Sequence, residues 1–249
     1  MKVQTHLLLL GIASLACLSS CSSTQTSAQL DAKTESTLSA MSDKLAAART
    51  LRVTTSRKAS PGFNVAGAVA ETATGTVVLQ RPNQLAARMV TSEGSRSVGL
   101  ANGMLTLVDE KAGTHASVKA AGDIDQAVRG VADTYGVKLP VAELLVNHPR
   151  SLLLEGVKSG RCVGSESIGG TMCHHLAFTQ SNLTWDLWVA MEDNLPRRMK
   201  VTYPNGEGGA PLTMTADISR WEINPSLSAS DLSVKVPAGS HEIEMIPIN

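Results

Sequence analysis

The chain has 249 residues, with 22 Lys plus Arg against 22 Asp plus Glu and a formal net charge of zero. That balance excludes a basic nucleic-acid surface and an acidic tail, so no nucleic-acid partner is expected. Charged residues are only 18% and aromatic residues 3%, a composition that suits a secreted β protein built from small and β-branched residues.

Lys2 precedes an apolar run from Leu7 to Leu18. The run is well short of the roughly 20 residues a membrane-spanning helix needs, but it fits the apolar region of a secretion signal. It closes on Leu18-Ser19-Ser20-Cys21, which resembles the bacterial lipobox. The resemblance implies cleavage before Cys21 and lipid on its thiol and new amino terminus. Cys17 is a poorer match, because Ser14 stands three residues before it. Ser22, and not an aspartate, follows Cys21; in that pattern this implies transfer to the outer membrane, on its periplasmic face. Acyl chains at about 0.8 kcal/mol per buried methylene make a firm anchor without a spanning helix. The expected division is residues 1–20 as signal, 21–28 as tether and 29–249 as one domain.

Leu30 to Arg49 carries Leu38, Met41, Leu45 and Ala48 at three- and four-residue spacing, which predicts an amphipathic helix. Strand-like runs follow at Leu51–Ser56, Val65–Thr72, Gly75–Gln80, Leu85–Thr91, Arg96–Ala101, Met104–Asp109 and Thr114–Lys119. Glycine, proline and asparagine separate them, and Asn102-Gly103 predicts a type I′ hairpin turn. A helical insert is expected over about 123–155. Asp123 caps its first helix with Gln126 three residues on, Pro140 opens a second short helix, and Pro149 closes that one. A second block of strands covers Gly156–Ile168, Met172–Phe178, Thr184–Met191, Leu195–Tyr203 and Leu212–Ile218. Apolar and polar residues alternate there, and all three tryptophans fall in this block, which predicts an antiparallel meander with a bulky core.

After loss of the leader and lipidation of Cys21, Cys162 and Cys173 remain. An even pair in an oxidising compartment favours a disulfide. A two-residue turn at Gly169-Gly170 would set Cys162 opposite Ala177, too far from Cys173 to bridge, so the bond requires a longer loop over about 165–170 or a bulge. A zinc site from Cys162, Cys173 and His175 is the alternative; His174 and His175 point to opposite faces and cannot share one ion. No nucleophile elbow, phosphate loop or His-Glu-x-x-His motif occurs, so neither enzymatic chemistry nor a cofactor is expected.

Several stretches resemble a family of predicted periplasmic proteins of unknown function. They are His175-Leu176-Ala177-Phe178, Trp185-Asp186-Leu187-Trp188-Val189, Leu195-Pro196-Arg197-Arg198-Met199, Val201-Thr202-Tyr203, Pro211, Trp221 and Pro237-Ala238-Gly239. That family is similar in fold to the LolA/LolB lipoprotein carriers. The resemblance implies an α+β, mainly β architecture: a curled, unclosed antiparallel β-barrel with helices covering its concave side. About eleven strands, more than a flat twisted sheet tolerates, agree with it. It further implies an apolar cavity that takes a lipid or lipoprotein acyl chain. Trp185, Leu187, Val189, Met191, Met199, Met214 and Trp221 are the expected lining. Asp186 is expected to face solvent or to pair with Arg197 or Arg198. The competing expectation is a non-catalytic structural or interaction lipoprotein of the envelope, with unnamed protein partners.

Overall fold

The computed structural model describes residues 28–61, 63, 72–120, 122–135, 141–204 and 209–248. Cys21 and the leader therefore lie outside the described residues, as do most of the strand expected at Val65–Thr72, Pro140 and the helix stop at Gly136.

The first helix, α1 (Ala32–Ala46), lies between a two-residue strand, β1 (Gln29–Leu30), and β2 (Thr50–Ala59). Asp31 caps α1 by accepting the Thr34 N–H at 2.7 Å, and its second oxygen accepts the Cys162 N–H at 2.9 Å. One carboxylate thus satisfies an orphan donor of the helix and ties the helix start to a strand 131 residues away. These backbone donors, that of Thr34 first, hold the Asp31 carboxyl below its ordinary value. Leu38, Met41 and Leu45 form the fully buried stripe that the spacing predicted.

The next strands are β3 (Thr72–Gln80), β4 (Gln84–Thr91), β5 (Gly94–Ala101), β6 (Met104–Asp109) and β7 (Thr114–Lys119). The expected turn is present, with Asn102 at φ 52° and Gly103 at φ 71°. The insert comprises α2 (Ile124–Tyr135), α3 (Ala142–Leu145) and α4 (Pro149–Leu153). Asp123 and Gln126 form a reciprocal capping box at 2.9 and 3.1 Å. Pro149 opens α4 and does not close the helix before it. Its missing N–H costs nothing in a first helical turn. The second block is β8 (Ser159–Ile168), β9 (Thr171–Thr179), β10 (Thr184–Ala190), β11 (Pro196–Tyr203) and β12 (Leu212–Ile223), with β13 (His241–Glu242) in the tail.

The two meanders join where β12 pairs with β2, giving one sheet in the order β1-β8-β9-β10-β11-β12-β2-β3-β4-β5-β6-β7-β13. Its two edges are the two-residue strands, which leaves eleven long strands, and the ends do not pair with each other. Register builds a largely apolar concave face, with Arg57 buried on it opposite Ala216. Leu51, Leu79, Leu85, Leu100, Leu105 and Val118 align across six strands. Leu176, Leu187, Met199 and Ala216 align across four more. Helix residues Leu38, Met41, Leu45, Ile124, Val131 and Leu144 join the same core. A sheet this wide accumulates twist and curls, and the helices occupy the side it curls around.

The tail runs across the convex face. Arg52 holds Asp231 at 2.7 Å, Leu232 is buried, and Val234 packs on Gly99, where an added Cβ would come within 2.9 Å of it. Ser240 meets His115 at 3.0 Å, β13 adds to β7, and the Ile248 N–H reaches the Thr134 carbonyl of α2 at 2.8 Å. This strap joins the convex face, the sheet edge and one concave helix. The Ser228 hydroxyl first, and Arg52 after it, hold the Asp231 carboxyl far below its ordinary value. A depressed carboxylate stabilises the fold above the unfolded value near 3.9, and that contribution disappears as pH falls through and below it. Acidification from about pH 5 to about pH 2 is therefore expected to expose the tail to hydrogen exchange, starting below about pH 4. Asp231→Asn should expose it already at neutral pH and lose most of that acid dependence.

Candidate functional site

The concave face and its helical roof make the best-defined candidate site. Trp185, Leu187, Val189 and Met199 all point into the core beneath the helices and are between 0% and 7% exposed. Phe178 stacks on Trp185 with centroids 3.9 Å apart and planes 10° off parallel. Trp221 packs at the margin of that core and donates its indole N–H to the Pro196 carbonyl at 2.8 Å. Met214 belongs to a smaller cluster with Ala59 and Phe63, and Met191 is exposed. Sheet register thus brings five of the seven expected lining residues together and separates Met214 and Met191 from them. Two surface grooves occur elsewhere. One of about 490 Å³ runs between Gln84, Met104 and the tail at Leu232. The other, about 420 Å³, lies over Arg57, Ala73 and Val90. None of the seven expected residues lines either groove.

Arg81, in the turn between β3 and β4, locks the roof. Its guanidinium donates to the Ala48 carbonyl at 3.0 Å, Leu45 at 3.1 Å, Leu145 at 3.3 Å and Asn147 Oδ1 at 2.8 Å. Leu45 and Leu145 lie in the last turns of α1 and α3 and Ala48 just follows α1, so one side chain ties together carbonyls at the ends of two helices. Burial and, against it, the nearby Asp125 carboxylate act on this cation. Asp125 of α2 accepts the Asn147 N–H, the His148 N–H at 3.0 Å and the His148 ring at 3.0 Å. Arg150 binds Glu35 at 2.7 Å, which fastens α4 to α1. Sequence reasoning passed over Arg81 and Asp125, because a lone arginine in a turn and an aspartate in a first helical turn carry no periodic signal.

The convex side of β8–β12 carries a polar network. His175 stacks on Trp188 with centroids 4.2 Å apart and bonds Asp186 at 2.8 Å. The Trp188 indole N–H donates to Glu166 at 2.7 Å. Asp186 therefore pairs with His175; Arg198 pairs with Asp217 and Arg197 with Asp193.

The expected disulfide is absent: Cys162 and Cys173 are free thiols. Gly169-Gly170 forms the tight turn, with Ile168 opposite Thr171. A bulge at Val163 shifts Cys162 opposite Leu176, three residues from Cys173. That is about 10 Å along a strand, beyond the roughly 7 Å a disulfide spans. The same separation defeats the zinc alternative. Among the described residues, no group of three or more His, Cys, Asp or Glu side chains is placed to hold a metal. Burial pushes the Cys173 thiol up. Native protein should therefore react with maleimide at Cys162, and at Cys173 only after unfolding, with no mass change on reduction.

An unclosed, mainly antiparallel sheet with helices packed on one face defines a half-barrel protein. The chain belongs to the family described as "Predicted periplasmic protein (DUF2092)", whose model matches residues 34–246. No curated protein matches the sequence. Among solved structures, LprF from Mycobacterium bovis is similar at a TM-score of 0.46 and 10% identity, over 83% of this chain and 96% of that one. The Pseudomonas aeruginosa MucA/MucB complex is similar at 0.45 and 13%, over 80% of this chain. There the chain spans less than two thirds of its counterpart, 60%. A LolA superfamily protein, NE2245 from Nitrosomonas europaea, is similar at 0.33 and 11%, over 79% of this chain and 97% of that one.

Proposed function

We propose that this periplasmic protein is a lipoprotein, anchored by lipid on Cys21 in the outer membrane on its periplasmic side, that holds an apolar chain such as a lipid or acyl group between sheet and roof. The observation that carries this reading is the broad apolar part of the concave face, from Val118 through Leu51 to Phe178, covered by helices that are fastened at their ends by side chains. Displacing the roof opens an apolar hollow, because the cluster packed beneath it is hydrophobic. Polar fastenings make such displacement reversible: each bond exchanges for one to water at a net cost of about 1 kcal/mol, or more for a charged partner.

The test is mass spectrometry of lipids extracted from detergent-free protein made without its lipid anchor, together with titration by a fluorescent fatty acid. One co-purifying acyl species per chain and saturable uptake are expected. A lipid-free protein that takes up no probe defeats the reading. Cys21→Ala should move the protein from the membrane to the soluble periplasmic fraction and abolish palmitate incorporation; retention in the membrane defeats the anchor. A second reading, a non-catalytic interaction scaffold of the envelope, draws on the tight packing of Trp185, Leu187 and Val189. It requires no ligand and a protein partner recovered by cross-linking in the envelope.

A further inference from the structure

The chain enters the sheet at the edge where β1 meets β8. The two strands run parallel, with Gln29 opposite Ser159 and Leu30 opposite Gly160. The Gln29 N–H donates to the Lys158 carbonyl at 2.9 Å and the Asp31 N–H to the Gly160 carbonyl at 3.2 Å. Asp31 Oδ2 accepts the Cys162 N–H at 2.9 Å. These bonds gather three cationic residues at one corner of the fold. Lys158 and Arg161 flank the two β8 residues that pair with β1, about 10 Å apart along the strand. Lys33 stands two residues beyond Asp31, in the first turn of α1.

Lys33, Lys158 and Arg161 are all exposed, and among the described residues none of them forms an ion pair. The neighbouring carboxylates are engaged elsewhere. Glu35 binds Arg150 at 2.7 Å, Glu155 binds Arg129, and Glu166, further along β8, takes the Trp188 indole N–H at 2.7 Å. Asp31, which accepts two backbone N–H groups, offsets only one of the three positive charges. The whole chain is formally neutral, so this corner is a local positive surplus on a balanced surface. Residues 22–28, Ser-Ser-Thr-Gln-Thr-Ser-Ala, separate it from Cys21; they carry no charge and span at most about 25 Å.

We infer that Lys33, Lys158 and Arg161 form a docking surface for an anionic lipid bilayer, so that the anchored protein sits with its β1–β8 corner on the headgroup phosphates. The inference rests on the lipid at Cys21 proposed above, and is independent of whether an apolar chain is held beneath the roof. A lipid surface is the occupant because the short tether keeps one within about 25 Å of this corner however the domain turns. The cations are a surface property of the fold, since the tether itself offers none. Long basic side chains at a sheet edge extend past the backbone and present their charged ends to a flat surface. Each basic group near an anionic leaflet is favoured about fivefold, so three favour this orientation about a hundredfold over one that turns the corner away.

The test is lysine acetylation, read by mass spectrometry, of the lipidated chain reconstituted in vesicles of phosphatidylcholine alone or mixed equally with phosphatidylglycerol. Lys44 and Lys235 serve as references, being exposed and without an ion pair among the described residues. In the anionic vesicles Lys33 and Lys158 should react at least about fivefold more slowly than the references, and molar salt should remove the difference. In phosphatidylcholine the four should react alike. Lys158→Gln with Arg161→Gln exchanges exposed side chains, so the melting temperature should hold while protection of Lys33 falls at least about twofold. A chain that does not float with phosphatidylcholine vesicles overturns the anchor and the docking together. A chain that floats, yet shows equal reactivity of the four lysines in anionic vesicles, the same protection in neutral ones, or undiminished protection of Lys33 in the double variant, overturns the docking alone.

Discussion

Arg81→Ala is expected to destabilise the protein by about 3–5 kcal/mol, read from denaturant unfolding. The side chain donates to three helix-terminal carbonyls and to Asn147. Hydrogen bonds to a charged group are worth about 1.5–3 kcal/mol each, and acceptors left buried without a donor cost more than the bond itself. The terms are not additive, because the roof relaxes once the lock is gone. Arg81→Lys should recover only part of the loss, since one ammonium cannot reach acceptors spread over two helices and a loop. If the roof is the gate to an apolar hollow, Arg81→Ala should also speed uptake of the fatty-acid probe. A loss below about 1 kcal/mol would show that the lock carries little of the roof's attachment.

Trp185→Ala is expected to cost about 3–5 kcal/mol by the same measurement, the range for truncating a large buried aromatic. Trp185 is 3% exposed, lies on a central strand between Phe178 and Val201, and stacks on Phe178. Its removal leaves a cavity on the concave face that neighbouring strands cannot close, because both are fixed by ladders on their far sides. Trp188→Ala, on the convex face, should cost less: its ring is covered by His175 and its indole bond is to the half-exposed Glu166. An equal or reversed order of the two losses would contradict the placement of the core.

Strand alternation grouped Trp185, Leu187 and Val189 on one face, and the structure packs those three in one core cluster, because a period of two leaves only two faces to choose between. The cap at Asp123 and the turn at Asn102 were legible for a similar reason: each is a bond or a backbone angle set within four residues. The cysteine pair was not legible. Its fate turned on the two-residue turn at Gly169-Gly170, since the bulge at Val163 moves Cys162 only one residue closer to its partner. Asp186 found His175, its diagonal neighbour on β9, instead of an arginine because cross-strand neighbours are set by the β9–β10 register.

By itself, the sequence determined the periplasmic family, the mainly β class and the amphipathic helices, since each depends on local spacing or on a motif read in order. Only the tertiary structure decided that β12 pairs with β2, that Arg81 fastens two helices and that the thiols stay apart. Those outcomes join residues far apart in the chain, and pairing across such distances is settled by strand register and packing, which no short window of sequence contains.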